Sequence, residues 1–188
     1  MTKRTWLLLS AAVASTAVYA VAGTAPALQT VPRVELPRYL GRWYEIARFA
    51  NRFEKQGDRD TTAEYALRPD GKISVINTTI RNGQSKQARG WAKVADPRTN
   101  ARLRVTFFWP FFGNYWVIAL GKDYEYAVVS EPGRKYLWIL SRTPQMSEAQ
   151  YREITEELEA RDFDTDKLIR VEHTALKSEP RPKKIAGD

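Results

Sequence analysis

Short apolar and polar runs alternate from residue 42 onward, and clusters of Pro, Gly, Asn and Asp interrupt them at regular intervals. Alternation with a period of two is typical of a β-strand with one buried face. Repeated short strands with such turn signals indicate an antiparallel barrel or sandwich. The pattern predicts eight strands, at about 42–49, 61–68, 72–80, 86–94, 101–109, 114–121, 124–130 and 135–142.

One helix is predicted after the last of these strands. Ser147 suits an N-cap position, and the apolar residues Tyr151, Ile154 and Leu158 then recur on one face. The stripe predicts a helix packed on the outside of the sheet, followed by a short strand at 169–173.

The first 22 residues have the pattern of an export signal. Lys3 and Arg4 precede an uncharged, largely apolar run at 6–20, and Ala20-Val21-Ala22 forms a small-residue cleavage site. A membrane anchor is the alternative, but the run is short for a span of about 20 residues. The sequence therefore predicts a cleavable signal peptide over 1–22.

The remaining chain divides into three parts. Residues 23–38 predict an extended leader, in which Pro32 and Pro37 disfavour helix. Residues 39–173 carry the strands and the helix and form the main domain. Residues 174–188 are polar and basic, and are predicted to be a disordered tail.

If the eight strands run up and down, three separated segments meet at one end of the barrel. These segments hold Gly41 and Trp43, then Asp123 and Tyr124, and finally Arg142. Trp43 is expected to close the barrel floor, with the Arg142 guanidinium stacked on its indole.

The opposite, open end receives the segment 107–116, in which seven of ten residues are aromatic. A turn there places Trp109, Phe111 and Phe112 at an apolar lip, although the same residues also suit a core or a subunit interface. A basic rim is expected around it, formed by Arg52, Lys55, Arg59, Arg81 and Arg134. Together, lip and rim favour an amphiphile with an acyl tail and an anionic head, or contact with a membrane surface.

Alternation along the strands predicts an apolar lumen with a few polar groups, typical of a small-ligand pocket. The expected ligand-binding residues are Tyr65, Val75, Asn77, Phe107, Tyr115, Val117, Tyr126, Val128, Tyr136 and Trp138. The alternative is a closed barrel filled by its own side chains.

Composition narrows the chemistry. The 188 residues include no Cys and one His, so thiol catalysis, a Ser-His relay, a metal site and a cofactor are not expected. The net charge of +8 suits an anionic partner, and export favours lipid head groups over nucleic acid.

Three motifs resemble the conserved patches of the lipocalin family, most closely its bacterial lipocalin and apolipoprotein D branch. They are G-R-W-Y-E-I-A-R-F at 41–49, D-Y-E-Y-A at 123–127 and L-W-I-L-S-R at 137–142. The resemblance covers about 37–173 and implies an all-β, eight-stranded antiparallel up-and-down barrel, with one C-terminal helix outside. It also implies that Trp43 and Arg142 serve stability. Many bacterial members are acylated on a Cys after the signal, and without Cys this chain is expected to be free in the periplasm or outside the cell.

The leading hypothesis is a non-catalytic carrier of fatty acids, lysophospholipids or phospholipids in the cell envelope. A lipocalin-fold enzyme acting on a lipophilic substrate through carboxylates such as Glu45 is one alternative. The other is an interaction module that uses 107–116 to bind a partner or to form a homodimer.

Overall fold

The computed structural model describes residues 26–174, which fold into nine strands, two α-helices and one 3₁₀ turn. The strands are β1 Gly41–Phe49, β2 Arg59–Leu67, β3 Ile73–Arg81, β4 Gln84–Val94, β5 Arg102–Phe108, β6 Phe111–Leu120, β7 Tyr126–Ser130, β8 Leu137–Ser141 and β9 Leu168–Arg170. The helices are α1 Leu36–Tyr39 and α2 Glu148–Glu159, and the 3₁₀ turn is Thr165–Lys167.

Strands β1 to β8 pair antiparallel in sequence order, and β1 pairs with both β2 and β8. That double pairing closes the sheet into a barrel. β9 adds to the upper half of β1. The predicted eight-stranded antiparallel barrel is therefore confirmed, because each expected strand is present with its ends shifted by a few residues at most.

Helix α2 packs on the outer face of the barrel, as the sequence predicts. The Ser147 side chain accepts a hydrogen bond from the Gln150 amide, so it caps the helix. Ile154 and Leu158 are buried in a cluster with the outward side chains of β1, β7 and β8. None of the helices within 26–174 has the length and apolar character of a membrane-spanning helix.

The leader differs from its prediction. Residues 36–39 form a helical turn although Pro37 lies in it, because proline is tolerated at the start of a helix, where its missing N–H is not needed. The backbone before it is bound to the barrel, with the Val31 and Val34 amides donating to Val117 and Thr99 carbonyls. The predicted signal at 1–22 lies outside the described residues, as does the tail beyond Thr174.

Two of the four register shifts within residues 26–174 explain which side chains of β1 and β6 face the lumen. One lies in β1 between Glu45 and Ala47, and the other lies in β6 between Val117 and Ala119. A bulge shifts the in–out alternation by one residue. After the first bulge Arg48 pairs with Trp138 and faces inward.

The predicted lumen positions Tyr126 and Val128 are wrong. Val128 belongs to the buried cluster beneath α2, and Tyr126 packs against that cluster from its edge. Their neighbours Ala127 and Val129 lie in the inner cluster instead. β7 is apolar on both faces, so alternation gives no signal there and the assignment slipped by one residue.

Candidate functional site

Trp43 closes the barrel floor. Its side chain is fully buried, and its indole N–H donates to the Tyr39 carbonyl at 2.8 Å. The Arg142 guanidinium carbon lies 3.7 Å from the centre of the Trp43 ring. The stack expected from topology is therefore present, and it joins the start of β1 to the segment after β8.

Arg142 also bonds three carbonyls around the floor. Its guanidinium donates to the carbonyls of Arg42 at 2.8 Å, Arg38 at 2.5 Å and Tyr124 at 3.4 Å. Gly41 lies directly beneath with φ of 92°, a backbone conformation that favours glycine. One side chain thus satisfies carbonyls from three separate segments.

The other two predicted motif residues have unequal roles. The Tyr124 hydroxyl accepts a bond from the Glu35 amide at 2.8 Å, and the Arg38 guanidinium lies over the Tyr124 ring at 4.2 Å. Asp123 is exposed, and its backbone N–H rather than its carboxylate makes a hydrogen bond, to Glu125. Tyr124 therefore ties α1 to the floor, whereas the Asp123 carboxylate is exposed at the turn and makes no hydrogen bond to another described residue.

Three phenols meet above the floor. The Tyr115 hydroxyl lies 2.7 Å from that of Tyr39 and 3.1 Å from that of Tyr65. Desolvation raises the pKa of all three groups, and that of Tyr65 reaches about 12, so they remain protonated at neutral pH. Two hydrogen bonds use two of three hydroxyl protons, and one O–H remains for another acceptor.

A buried charge cluster lies higher along β1. Arg48 donates to Glu45 at 2.9 Å and to the Lys55 carbonyl at 2.8 Å, and its Nε lies 3.6 Å from a Glu54 oxygen. The Trp138 indole N–H donates to Glu54 at 3.2 Å. Arg48 and Glu45 are buried, so this side of the lumen holds two carboxylates and one guanidinium.

The charge cluster perturbs Glu45 strongly. Burial raises the pKa of Glu45 well above its usual range, and the neighbouring Glu54 carboxylate raises it further, while Arg48 opposes both effects. Glu45 therefore holds a proton more tightly than a carboxyl in water. As the strand alternation predicts, the Glu45 side chain faces the inside of the barrel, on the same side of β1 as Trp43.

An aromatic row leads from the mouth to this cluster. The Phe53 and Tyr136 ring centres are 6.0 Å apart, and those of Tyr136 and Trp138 are 5.9 Å apart with nearly parallel planes. Phe53 is exposed and lies in the loop between β1 and β2. The three rings therefore form a continuous row from the β1–β2 loop to Trp138.

The facing inner wall, on β3 to β5, is not covered near the mouth. Ala88 pairs with Asn77 on this wall and is exposed, and the Asn77 side-chain oxygen is buried with no hydrogen-bond partner in the part of the chain that the structure describes. Phe107 lies against Gly90, where a β-carbon would clash with the Thr106 carbonyl. Val75, by contrast, is buried deeper on the same wall. Val117 is fully buried within the floor cluster.

The tip between β5 and β6 exposes large aromatic surface. The exposed fractions are 76% for Phe108, 73% for Trp109 and 72% for Phe111, and the Phe108 and Phe111 rings stack. Phe112 does not belong to this lip, because it turns to the outer wall and packs edge-on against Trp91 at 5.2 Å. Its placement at the tip was wrong, since strand alternation continues through the turn and directs residues 111 and 112 to opposite faces.

Only some of the cations predicted for the basic rim are available to an anionic ligand. Arg81 pairs with buried Asp58 at 2.6 Å, whereas Arg52 is exposed beside the Phe53 ring. The assignment of Arg134 to the rim was wrong: it donates to the Pro26 and Arg161 carbonyls and lies over Phe163. Its role is to fasten the end of α2 to the barrel.

Sequence reasoning missed the inward groups Tyr39, Arg48 and Glu54. Tyr39 lies in the helical turn before β1, and Arg48 reaches the lumen only through the β1 bulge. Glu54 is half-buried and comes from a loop of mixed charge, in which the sequence does not indicate which residue turns inward. Within 26–174 no group of three or more His, Asp or Glu side chains is placed to hold a metal ion.

Comparison with known proteins agrees with this architecture. A family model described as a lipocalin-like domain matches residues 34–173. The outer membrane lipoprotein Blc of Escherichia coli K12 is 43% identical over 169 residues, which cover 88% of this chain and 95% of Blc. Temperature-induced lipocalin-1 of Arabidopsis thaliana is 42% identical over 149 residues, covering 75% of this chain and 80% of that protein.

Among solved structures, insecticyanin from Manduca sexta superposes with a TM-score of 0.65 at 25% identity, covering 81% of this chain and 88% of that chain. Its similarity extends over the barrel described above. Together with the family model and the bacterial and plant relatives, it shows that this chain belongs to the lipocalin family.

Proposed function

We propose that the protein is an exported lipid carrier, which holds a fatty acid, lysophospholipid or phospholipid in the barrel. The observation that carries the proposal is the difference between the two barrel ends. One end is closed by Trp43 and Arg142, and the inner wall at the other end, around Ala88 and Phe107, is reached by solvent. A barrel of eight strands is wide enough for one small ligand.

Acyl-chain burial would supply the binding energy. Each methylene removed from water contributes about 0.8 kcal/mol, offset by the loss of translational and rotational freedom on association. The phenol cluster and the Asn77 amide are the polar groups available near the buried part of a ligand.

The charge cluster favours one orientation of the ligand. Two carboxylates, Glu45 and Glu54, lie in the lumen against the single guanidinium of Arg48. The raised pKa of Glu45 favours its neutral form, so the cluster offers no net positive charge to an anionic head, and an ionised Glu45 would repel it. We infer that the tail enters first and the head stays at the mouth, beside the exposed cations Arg52 and Lys55.

The exposed aromatic tip supports loading at a membrane surface. Phe108, Trp109 and Phe111 present apolar area that water does not favour, next to the entrance. Residues 1–22 have the pattern of an export signal, and the bacterial relatives are named outer membrane lipoproteins. Both facts support a location in the periplasm or cell envelope.

Native mass spectrometry of the exported protein tests the proposal. We expect a mass increment of one amphiphile per chain, released as intact lipid on collisional activation. Ala88→Trp would fill the open lumen and remove the increment, whereas the outward neighbour in Gln87→Trp would leave it. Equal lipid content in the two variants would contradict a lumen site.

An enzyme remains a second candidate because Glu45 is a buried carboxyl with a raised pKa, as general acids often are. The same experiment separates the two functions. A carrier returns the lipid with unchanged mass after incubation, while a catalyst returns a product of different mass or retention.

A further inference from the structure

A second charged groove lies on the outer wall of the barrel, away from the lumen. It has a volume of about 520 Å³ and lies between the β4–β5 loop and the outward side chains of β5 and β6. Arg102 and Arg104 form one side, and their cross-strand partners Trp116 and Asn114 form the other. The groove is therefore a two-by-two array of side chains on adjacent strands.

The two guanidinia form no direct ion pair within residues 26–174; Arg98 lowers the pKa of Asp96 most, and the more distant Arg102 charge adds to that effect. Among the described residues one carboxylate lines the groove, that of Asp96, and it binds Arg98 through both of its oxygens at 3.0 and 3.3 Å. Over residues 26–174, Arg102 and Arg104 form no salt bridge, and the Nε atom of Arg102 is buried without a hydrogen-bond partner. A buried donor of this kind costs free energy until an acceptor binds it.

A third cation adds to the same charge. Lys93 on β4 stands directly opposite Arg104 in the sheet. Like charges in directly opposed positions destabilise a strand pair. A local arrangement that opposes folding is typical of a functional site, and a bound anion would remove the repulsion.

Aromatic rings hold these cations in place. The Arg102 guanidinium carbon lies 4.4 Å from the Trp116 ring centre, and Lys93 and Arg104 lie 5.3 and 5.7 Å from that of Phe112. Stacking occupies a face of the guanidinium and leaves its N–H edges for a ligand. The array is thus ordered before a ligand arrives.

We propose that this groove binds a phosphate group, with Arg102 and Arg104 as its main ligands, Lys93 as a third charge and the Asn114 amide as a neutral donor. Side chains two residues apart on one face of a strand are about 7 Å apart, so both guanidinia reach one phosphate. The phosphate belongs either to a soluble phosphate ester or to a phospholipid head group. The site is separate from the lumen and does not depend on the carrier function.

Titration of the ¹⁵N-labelled protein with glycerol 3-phosphate, followed by NMR at constant ionic strength, tests the site. We expect saturable shifts of the Arg102 and Arg104 amides and of the Trp116 indole N–H. Arg102→Gln with Arg104→Gln should weaken binding at least about 10-fold, because two charge-assisted hydrogen-bond groups are lost. Arg89→Gln with Arg152→Gln removes the same charge from exposed positions outside the groove and should change affinity less than about 2-fold.

Three results would overturn the proposal: shifts that do not saturate, equal shifts with sodium chloride, or an equal loss in the control pair. Vesicles of phosphatidylglycerol and phosphatidylcholine form the second arm. Vesicle binding that the Arg102/Arg104 pair reduces and the control pair spares assigns the phosphate to a lipid head group. Binding of glycerol 3-phosphate alone assigns it to a soluble ester.

Discussion

The two ends of the barrel use aromatic residues in opposite ways. At the floor, the Trp43 indole is fully buried, its N–H is hydrogen-bonded, and its face is covered by Arg142. At the mouth, Trp109 is 73% exposed beside Phe108 and Phe111, which are as exposed. The same residue type therefore contributes to stability at one end and leaves apolar surface in water at the other.

The floor of the barrel therefore contributes mainly to stability, whereas the mouth is available for binding. Backbone carbonyls at the floor are satisfied by a single guanidinium from a distant segment, so that end resists opening. Nothing within the described residues covers the tip of the β5–β6 hairpin. Apolar surface that folding leaves exposed is available for binding.

The largest expected effect comes from truncating the same side chain at each end. Trp43→Ala should lower the free energy of unfolding by about 3–5 kcal/mol, because a large core ring is lost. Trp109→Ala should change it by less than about 0.5 kcal/mol. Urea denaturation measures both, and comparable losses in the two variants would remove the contrast.

Arg142→Met should cost about 1–3 kcal/mol, because carbonyls of three segments lose a charged donor. Arg142 is partly exposed, which places the cost toward the lower end of that range. Arg52→Met at the mouth is the matched control and should be nearly neutral in the same denaturation experiment. A neutral Arg142→Met would show that the floor is held by Trp43 packing alone.

Phe108→Ser with Phe111→Ser should weaken binding to phospholipid vesicles about 10-fold or more, because the double variant lacks two apolar rings that would be buried on binding. The melting temperature should stay unchanged. Phe112→Ser is the control for a residue on the outer wall. The Phe112 ring packs on Trp91, so we expect this variant to have a lower melting temperature with little change in vesicle binding. Vesicle co-sedimentation gives the affinities, and an equal effect of all the substitutions on binding would argue against a lip formed by the tip alone.

The smallest effect is a pH dependence from the lumen. Burial raises the pKa of Glu45 in the folded protein. At a pH between the pKa of Glu45 in the unfolded chain and its pKa in the folded protein, the folded state therefore binds more protons than the unfolded state. The contribution of Glu45 to folding stability is therefore favourable at low pH, and it is lost as the pH rises above the pKa of Glu45 in the unfolded chain, about 4.3. In Glu45→Gln this loss is absent, and the stability of the variant relative to wild type should increase from about pH 4 to about pH 7. A difference that stays constant with pH would contradict the raised pKa.

The sequence predicted the floor better than the mouth, for physical reasons. Gly41, Trp43 and Arg142 converge because strand count alone fixes which ends of the strands coincide. Arg134 could not be placed, since an arginine in a turn does not indicate which carbonyls it will reach.

The inner wall was predictable only where polar and apolar residues alternate. Tyr65 and Tyr115 meet inside the barrel, and Val75 lies in the inner cluster of the same wall. Tyr126 and Val128 were assigned to the wrong face because β7 is apolar on both sides. The inward position of Arg48 was not predicted, because it depends on a β-bulge, and the residue types in the bulge do not indicate that one is present.

On the proposed function, the lumen is closed at Trp43, open at Phe108 and occupied by a lipid whose head stays outside. A lysophospholipid with a nitroxide on its head group, titrated into ¹⁵N-labelled protein, tests it directly through paramagnetic broadening. We predict saturable broadening at Arg52, Phe53 and Phe108, with sharp resonances retained for the Trp43 indole and for Arg142. Broadening centred on Trp43, or no saturable broadening, would contradict the account.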